Sequence, residues 1–246
     1  HAENLNTVKT IGLSFVLIGI PLLLIVKQPD TSTSIAIALI FISLLFIAGL
    51  SYKIVLTVLG ICIPTGLIGI TVILRMAQSS GDYRFGIMAW LYPQDPRWSD
   101  IAAQQQNSIM AIGSGQLWGK GLNNSAATSM KNANYIIEPQ TDFIFAVAGE
   151  ELGFIGTMVI VLLLLFIVIE CILIARKAKD LAGRLICCGM AALIGFQSIF
   201  NIFVATGLMP NTGIPLPFVS YGLTSLLSLY LGMGFVLNVG LQPKKY

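Results

Sequence analysis

The sequence predicts an all-α integral membrane protein: a polytopic bundle of about six spanning helices, at about 20 residues per crossing, with a large outer loop. Three observations carry this. Hydrophobic residues make up 56% of the 246-residue chain and charged residues only 10%, against roughly 25% charged in a soluble domain. The mean hydropathy is +0.85. The apolar residues gather in runs long enough to cross a bilayer as helices, and the alternation of a barrel strand is absent.

The runs lie near 9–27, 33–50, 54–75, 143–175, 183–207 and 222–241, so residues 1–246 read as a single membrane domain. The chain opens at His1 without a methionine or a basic leader and reaches its first apolar run almost at once. On that reading it is the distal part of something longer. Between the first two runs, KQPD at 27–30 forms a tight turn. The fourth run exceeds one bilayer thickness and is expected to tilt or to project beyond the membrane. Lys53, the group Arg176, Lys177, Lys179 and Arg184, and the pair Lys244 and Lys245 all fall on one side if the spans alternate. That side is cytoplasmic by the positive-inside rule. Both termini of this chain then lie in the cytoplasm, and the loops at 76–140 and 207–222 lie outside.

A formal net charge of +3 is too small to argue for nucleic acid. Cys62, Cys171, Cys187 and Cys188 sit in or beside apolar runs and read as packing residues. The single histidine, His1, leaves no material for a histidine metal site or a Ser-His-Asp triad.

The 76–140 loop alternates aromatics and charges through DYRFGIMAWLYPQDPRWSD, then offers an amphipathic helix at 101–112 along the interface. Tyr83, Trp90, Tyr92 and Trp98 are the expected headgroup anchors. The stretch IGSGQLWGKGLNNS follows, where Gly113, Gly115, Gly119 and Gly121 permit turns and close backbone approach. Lys120 among them could meet a phosphate, but the spacing is not a Walker A motif, and a plain turn cluster is the competing reading. The apolar loop GLMPNTGIPLPFVSYG at 207–222 reads as an ordered or re-entrant segment stiffened by Pro215 and Pro217, since irregular backbone at membrane depth needs burial by protein or a wet cavity.

Residues 138–156, EPQTDFIFAVAGEELGFIG, hold the candidate chemistry. An acid at the edge of an apolar span is a functional candidate by default, costing about 2.5–3.5 kcal/mol on insertion scales. Asp142 is that acid. It reads equally as a helix N-cap and as a chemical group. On a helix, Asp142, Ala146, Gly149, Gly153 and Gly156 share a face, and the Gly149/Gly153 spacing suits a closely packed neighbouring helix. Glu150 lies toward the edge of that face and Glu151 points away; both are expected to support packing or the loop.

KQPD at 27–30, AIGSG at 111–115, GKGL at 119–122, the 138–156 segment and GLMPNTGIPLPFVSYG together resemble the SEDS family, RodA, FtsW and SpoVE, and the last motif is closer to the RodA and SpoVE form. The resemblance covers nearly the whole chain. It implies a ten-helix protein of the bacterial plasma membrane, of which this chain supplies the last six helices. It also implies an enzyme, a glycosyltransferase that polymerises lipid II into peptidoglycan glycan strands beside a class B penicillin-binding protein. The family's essential loop aspartate falls on Asp142, expected to be the general base on the acceptor sugar hydroxyl. The leaving lipid pyrophosphate needs cationic stabilisation, for which Arg84, Arg97, Lys120 and Lys131 are candidates, with Ser114, Gln140 and Thr141 as further substrate contacts. A divalent cation, magnesium or manganese, is the expected cofactor if there is one, with Glu138 as its candidate ligand. Ala102, Ala103 and Gln104, Leu223 and Ile137 depart from the family pattern. Two rival readings stand beside this one: a transporter of the lipid-linked precursor, and a non-catalytic scaffold for a transpeptidase.

Overall fold

The computed structural model of the protein describes residues 8–27, 31–49, 85–122 and 139–242. The run at 54–75, the turn at 28–30 and residues Cys62, Tyr83, Arg84, Lys131, Ile137 and Glu138 lie outside the described residues. The described residues are all-helical, without a strand. Their helices are α1 (Val8–Lys27), α2 (Thr31–Ile47), α3 (Phe85–Leu91), α4 (Ser99–Ser114), α5 (Ile144–Lys177), α6 (Leu181–Ala205) and α7 (Leu223–Leu241). Among them α5, α6 and α7 are long and apolar enough to cross a membrane. Leu162, Leu163, Leu165 and Phe166 of α5 stand exposed, the composition a lipid-facing surface requires. This is a membrane protein.

The chain divides into two compact units, His1–Arg84 with Glu170–Leu193 and Met233–Tyr246, and Phe85–Ile169 with Ile194–Gly232. In the first, α1 packs on α2. Glycines let the helices approach: Gly189 of α6 faces Leu44 of α2, and Gly240 of α7 faces Ile174 of α5. Asp180 caps α6, its carboxylate accepting from the Gly183 amide at 2.9 Å. Cys171, Cys187 and Cys188 are free thiols, and Cys171 Sγ lies 3.9 Å from Met233 Sδ.

The second unit carries the polar residues of interest. Its core joins Ala111, Phe143, Ala146 and Val204. Helix α4 occupies the stretch expected to be amphipathic, but its buried side includes Gln105 and Ser108 while Ile109 and Met110 are exposed. Hydrogen bonding explains the inversion. The last carbonyls of α6 lack helical partners, and α4 adds donors to them and to the loop beyond: Gln105 Nε2 donates to Val204 O at 2.8 Å and to Met209 O at 2.6 Å, and Ser108 Oγ donates to Ala205 O at 2.8 Å. Trp90 Nε1 donates to Gly207 O at 2.8 Å. Gly207, at φ +79°, ends α6 in a Schellman motif, with the Leu208 amide bonded to Phe203 O and its own amide to Val204 O. Trp98, expected among the interfacial anchors, is instead buried.

The fourth run, expected to tilt or to project beyond the membrane, is broken at Gly153. That residue sits inside α5 at φ +69°, ψ −168°, a region essentially restricted to glycine. The break removes two helical hydrogen bonds, and residues 116–121 replace them. Phe154 N donates to Gln116 O at 2.8 Å and Ile155 N to Leu117 O at 3.2 Å. The carbonyls left over, Glu150 O and Glu151 O, accept from Lys120 N at 2.9 Å and Gly121 N at 3.0 Å. Among the described residues, Gly149 is approached closely by helix α4 and Gly153 by the loop that follows it. A Cβ on Gly149 would meet Ile112, and one on Gly153 would strike the Gly119 amide and Leu117 carbonyl.

Gly153→Ala should therefore lower stability by about 2–5 kcal/mol, combining left-handed strain with overpacking against backbone. Thermal unfolding in detergent, followed by size-exclusion fluorescence, checks this; a wild-type midpoint would contradict the break.

Candidate functional site

Asp142 lies just ahead of α5. The first helical bonds there are accepted by Phe143 O, from Ala146 N at 2.9 Å and Val147 N at 3.3 Å, so Phe143 takes the N-cap position and Asp142 precedes it. Two segments hold the turn that presents the acid. Asn201 of α6, 1% exposed, donates from Nδ2 to Asp142 O at 2.7 Å and to Ile214 O at 2.8 Å. Both partners are carbonyls, which only accept, so the amide nitrogen must face them. Asn201 Oδ1 is buried without a protein partner among the described residues.

The loop after α6 supplies the rest. Ser220 Oγ donates to Thr141 O at 2.6 Å and accepts from the Leu216 amide at 2.7 Å. Tyr221 N donates to Gln140 O at 2.8 Å. Ile214, Leu216 and Pro217 are buried, and Pro215 is half-buried. Phe218 takes a left-handed φ of +63°, with its ring edge-on to Tyr230 at 5.7 Å. Gly213 lies directly against the acid, since a Cβ there would sit 3.5 Å from Asp142 Oδ2. The 207–222 loop and Asp142, two features far apart in sequence, thus share one surface.

The other candidates are placed as follows. Lys120 Nζ pairs with Glu150 Oε1 at 2.8 Å, the carboxylate side chain 1% exposed and the lysine 24%. Arg97 forks onto Asp95, with Nη2 to Oδ2 at 2.7 Å and Nε to Oδ1 at 3.1 Å, and packs 5.8 Å from the Trp98 ring. The side-chain hydrogen bond from Arg97 holds the Asp95 carboxyl below its usual range and raises the guanidinium in return. Ser114 Oγ is turned onto Ala111 O at 2.7 Å. Gln140 is exposed, and Thr141 and Glu151 are half-buried. Among the described residues no three His, Cys, Asp or Glu side chains converge as a metal donor set. Sequence reasoning missed Asn201, Ser220, Gln105 and Ser108. The signal was there in part, because a polar Asn in the apolar run IGFQSIFNIFVA is a recognised mark of a buried interhelical contact.

The sequence of the cell cycle protein family FTSW_RODA_SPOVE matches residues 2–245. A probable peptidoglycan glycosyltransferase FtsW of Geobacter sulfurreducens is 34% identical over 230 residues, 93% of this chain and 58% of that protein. Stage V sporulation protein E of Bacillus subtilis is 38% identical over 221 residues, covering 88% and 56%. The peptidoglycan glycosyltransferase MrdB of Escherichia coli is 34% identical over 247 residues, covering 97% and 62%. The chain thus spans about three fifths of these relatives' length, 58% for the first. Among solved structures, the rod shape determining protein RodA of Thermus thermophilus superposes with a TM-score of 0.60 at 25% identity, over 98% of this chain and 62% of that one.

Replacing Asn201 by Leu keeps the volume and strands the Asp142 and Ile214 carbonyls, a loss of about 1–3 kcal/mol for a buried unsatisfied group. Amide hydrogen exchange at Leu216, Ser220 and Tyr221 should accelerate; unchanged protection would show that the asparagine does not hold the loop.

Proposed function

The chain belongs to the FtsW/RodA/SpoVE family of cell cycle proteins, and from that membership we propose that it is part of a peptidoglycan glycosyltransferase that polymerises lipid II, with Asp142 as general base. The supporting observation is the setting of the acid. Its turn is clamped by Asn201, Ser220 and the Tyr221 amide, its carboxylate faces Gly213, and the cap position belongs to Phe143. A residue serving only to cap a helix needs none of this. The names borne by the FtsW and MrdB relatives support the reaction class.

Chain growth joins a sugar hydroxyl of one lipid-linked disaccharide to the anomeric carbon of another and expels a lipid pyrophosphate. The hydroxyl is a weak nucleophile, and a positioned carboxylate that takes its proton contributes typically about 10²–10⁴-fold. Attack opposite the leaving group inverts the anomeric centre, as in inverting glycosidases, where one carboxylate activates the nucleophile. The pyrophosphate departs already charged, so it needs cations rather than a proton. Lys120 is the described candidate in the Gly-rich loop, and a pyrophosphate there would share its ammonium with Glu150. Arg97 is committed to Asp95 on an exposed turn, which makes it the weaker choice. A magnesium or manganese ion serving this reaction would be held largely by phosphate oxygens, as that kind of ion usually is. The positive-inside reading puts the acid and both loops outside, where a class B penicillin-binding protein would cross-link the product.

The test uses the full-length protein with labelled lipid II. Asp142→Asn should lower polymer formation by about 10²-fold or more while leaving the protein folded. Wild-type polymer from that variant would remove Asp142 as the base, and precursor translocation without polymer from the wild type would favour a transporter.

A further inference from the structure

We propose that Glu150, through its ion pair with Lys120, is a positioning residue that seats the Gly-rich loop in the helix break and thereby fixes Asp142. The inference rests on the reading of Asp142 as the base. It starts from a mismatch between what holds the break and what specifies it. The four backbone bonds that fill the break, from Phe154 and Ile155 to the loop and from Lys120 and Gly121 to α5, are chemically anonymous. Any stretch of backbone could make them. Glycines permit the approach, because a Cβ on Gly115 would strike the Gly149 carbonyl and one on Gly119 the Glu151 carbonyl, but glycine has no side chain with which to choose a register.

Lys120 and Glu150 supply that choice. They are the residues whose own backbone groups bond to each other, Lys120 N to Glu150 O at 2.9 Å, and their side chains close the same contact, Nζ to Oε1 at 2.8 Å. A slip of one residue would separate the charges and leave a carboxylate that is 1% exposed without this cation. Burying an ion pair gains little net stability, yet removing one partner is heavily penalised, so such a pair suits a register lock better than a source of stability.

The consequence travels along one short helix. The segment from Ile144 to Leu152 is a rigid rod with Asp142 at its head and the break at its foot. At the head it is tied through Asn201 and Ser220; in its middle Ala146 packs on Ala111 and Val204; at the foot the loop holds Glu150 and Glu151. Freed from the loop, the rod can pivot at Gly153, the one residue in α5 with non-helical torsions. Proton abstraction depends on geometry so steeply that a 1 Å misplacement can lower the rate about 10²-fold.

The experiment compares Glu150→Gln, Lys120→Met and the double variant in the full-length protein, at equal folded content, with labelled lipid II and amide hydrogen exchange. Glu150→Gln should reduce kcat by about 10²-fold at unchanged KM, with faster exchange at Lys120, Gly121, Phe154 and Ile155. The double variant should be no slower than the slower single, since both remove one lock. Wild-type kcat in Glu150→Gln overturns the proposal, even if exchange rises, because the pair would then be structural only. A double variant whose loss in kcat equals the product of the two single losses also overturns it, since the lysine and the glutamate would then act independently. Asp142→Asn separates this from the underlying reading: polymer from that variant removes the base, while the exchange pattern of Glu150→Gln still reports on the lock.

Discussion

A helix that breaks in an apolar run leaves two amides and two carbonyls without partners, and away from water each such group is expensive. At Gly153 the protein meets this constraint with backbone from elsewhere. Residues 116 and 117 accept, residues 120 and 121 donate, and the helical ladder resumes on either side. Much of the surrounding composition follows. Gly115 and Gly119 must lack a side chain because α5 carbonyls occupy that space, and a Cβ on Gly149 would crowd Ile112. At Gly115 and Gly119 the requirement is close packing against protein backbone, and it holds whether or not a phosphate ever binds there.

The same logic governs the other irregular segment. The loop after α6 is almost uncharged, so its polar backbone needs partners from the protein. Asn201 and Ser220 provide them, each bridging the loop to the turn before α5. Gln105 and Ser108 do the same for the end of α6. Polar side chains are buried in this unit where carbonyls need donors, while Ile109 and Met110 on the same helix are exposed. That is why α4, read as amphipathic from its sequence, turns Gln105 and Ser108 inward.

The helices were legible because apolar runs of spanning length have few other meanings. Val8–Lys27, Leu181–Ala205 and Leu223–Leu241 fall within a few residues of the expected runs at 9–27, 183–207 and 222–241. Asp142 was legible as an acid out of place. The break at Gly153 was not, because a glycine in an apolar helix fits close packing and a kink equally well, and only the partner tells them apart. The Lys120–Glu150 contact was hidden for a related reason: its members are 30 positions apart and no local periodicity joins them. Asn201 could have been suspected from its apolar surroundings, but its two acceptors, Asp142 O and Ile214 O, come from turns whose paths no pattern in the sequence fixes.

The break also resolves a difficulty with length. As one rod, the 34 residues of α5 would measure about 51 Å, far more than the roughly 30 Å of hydrocarbon in a bilayer. Residues 154–177 alone reach about 36 Å, enough to cross. The segment before Gly153 is then released from spanning, and its position is set by the loop, by Asn201 and by Ser220. Asp142 stands about 17 Å of helix axis from the break. The half of α5 that follows Asp142 is thus anchored by the Gly-rich loop, by Asn201 and by Ser220, separately from the half that is long enough to span.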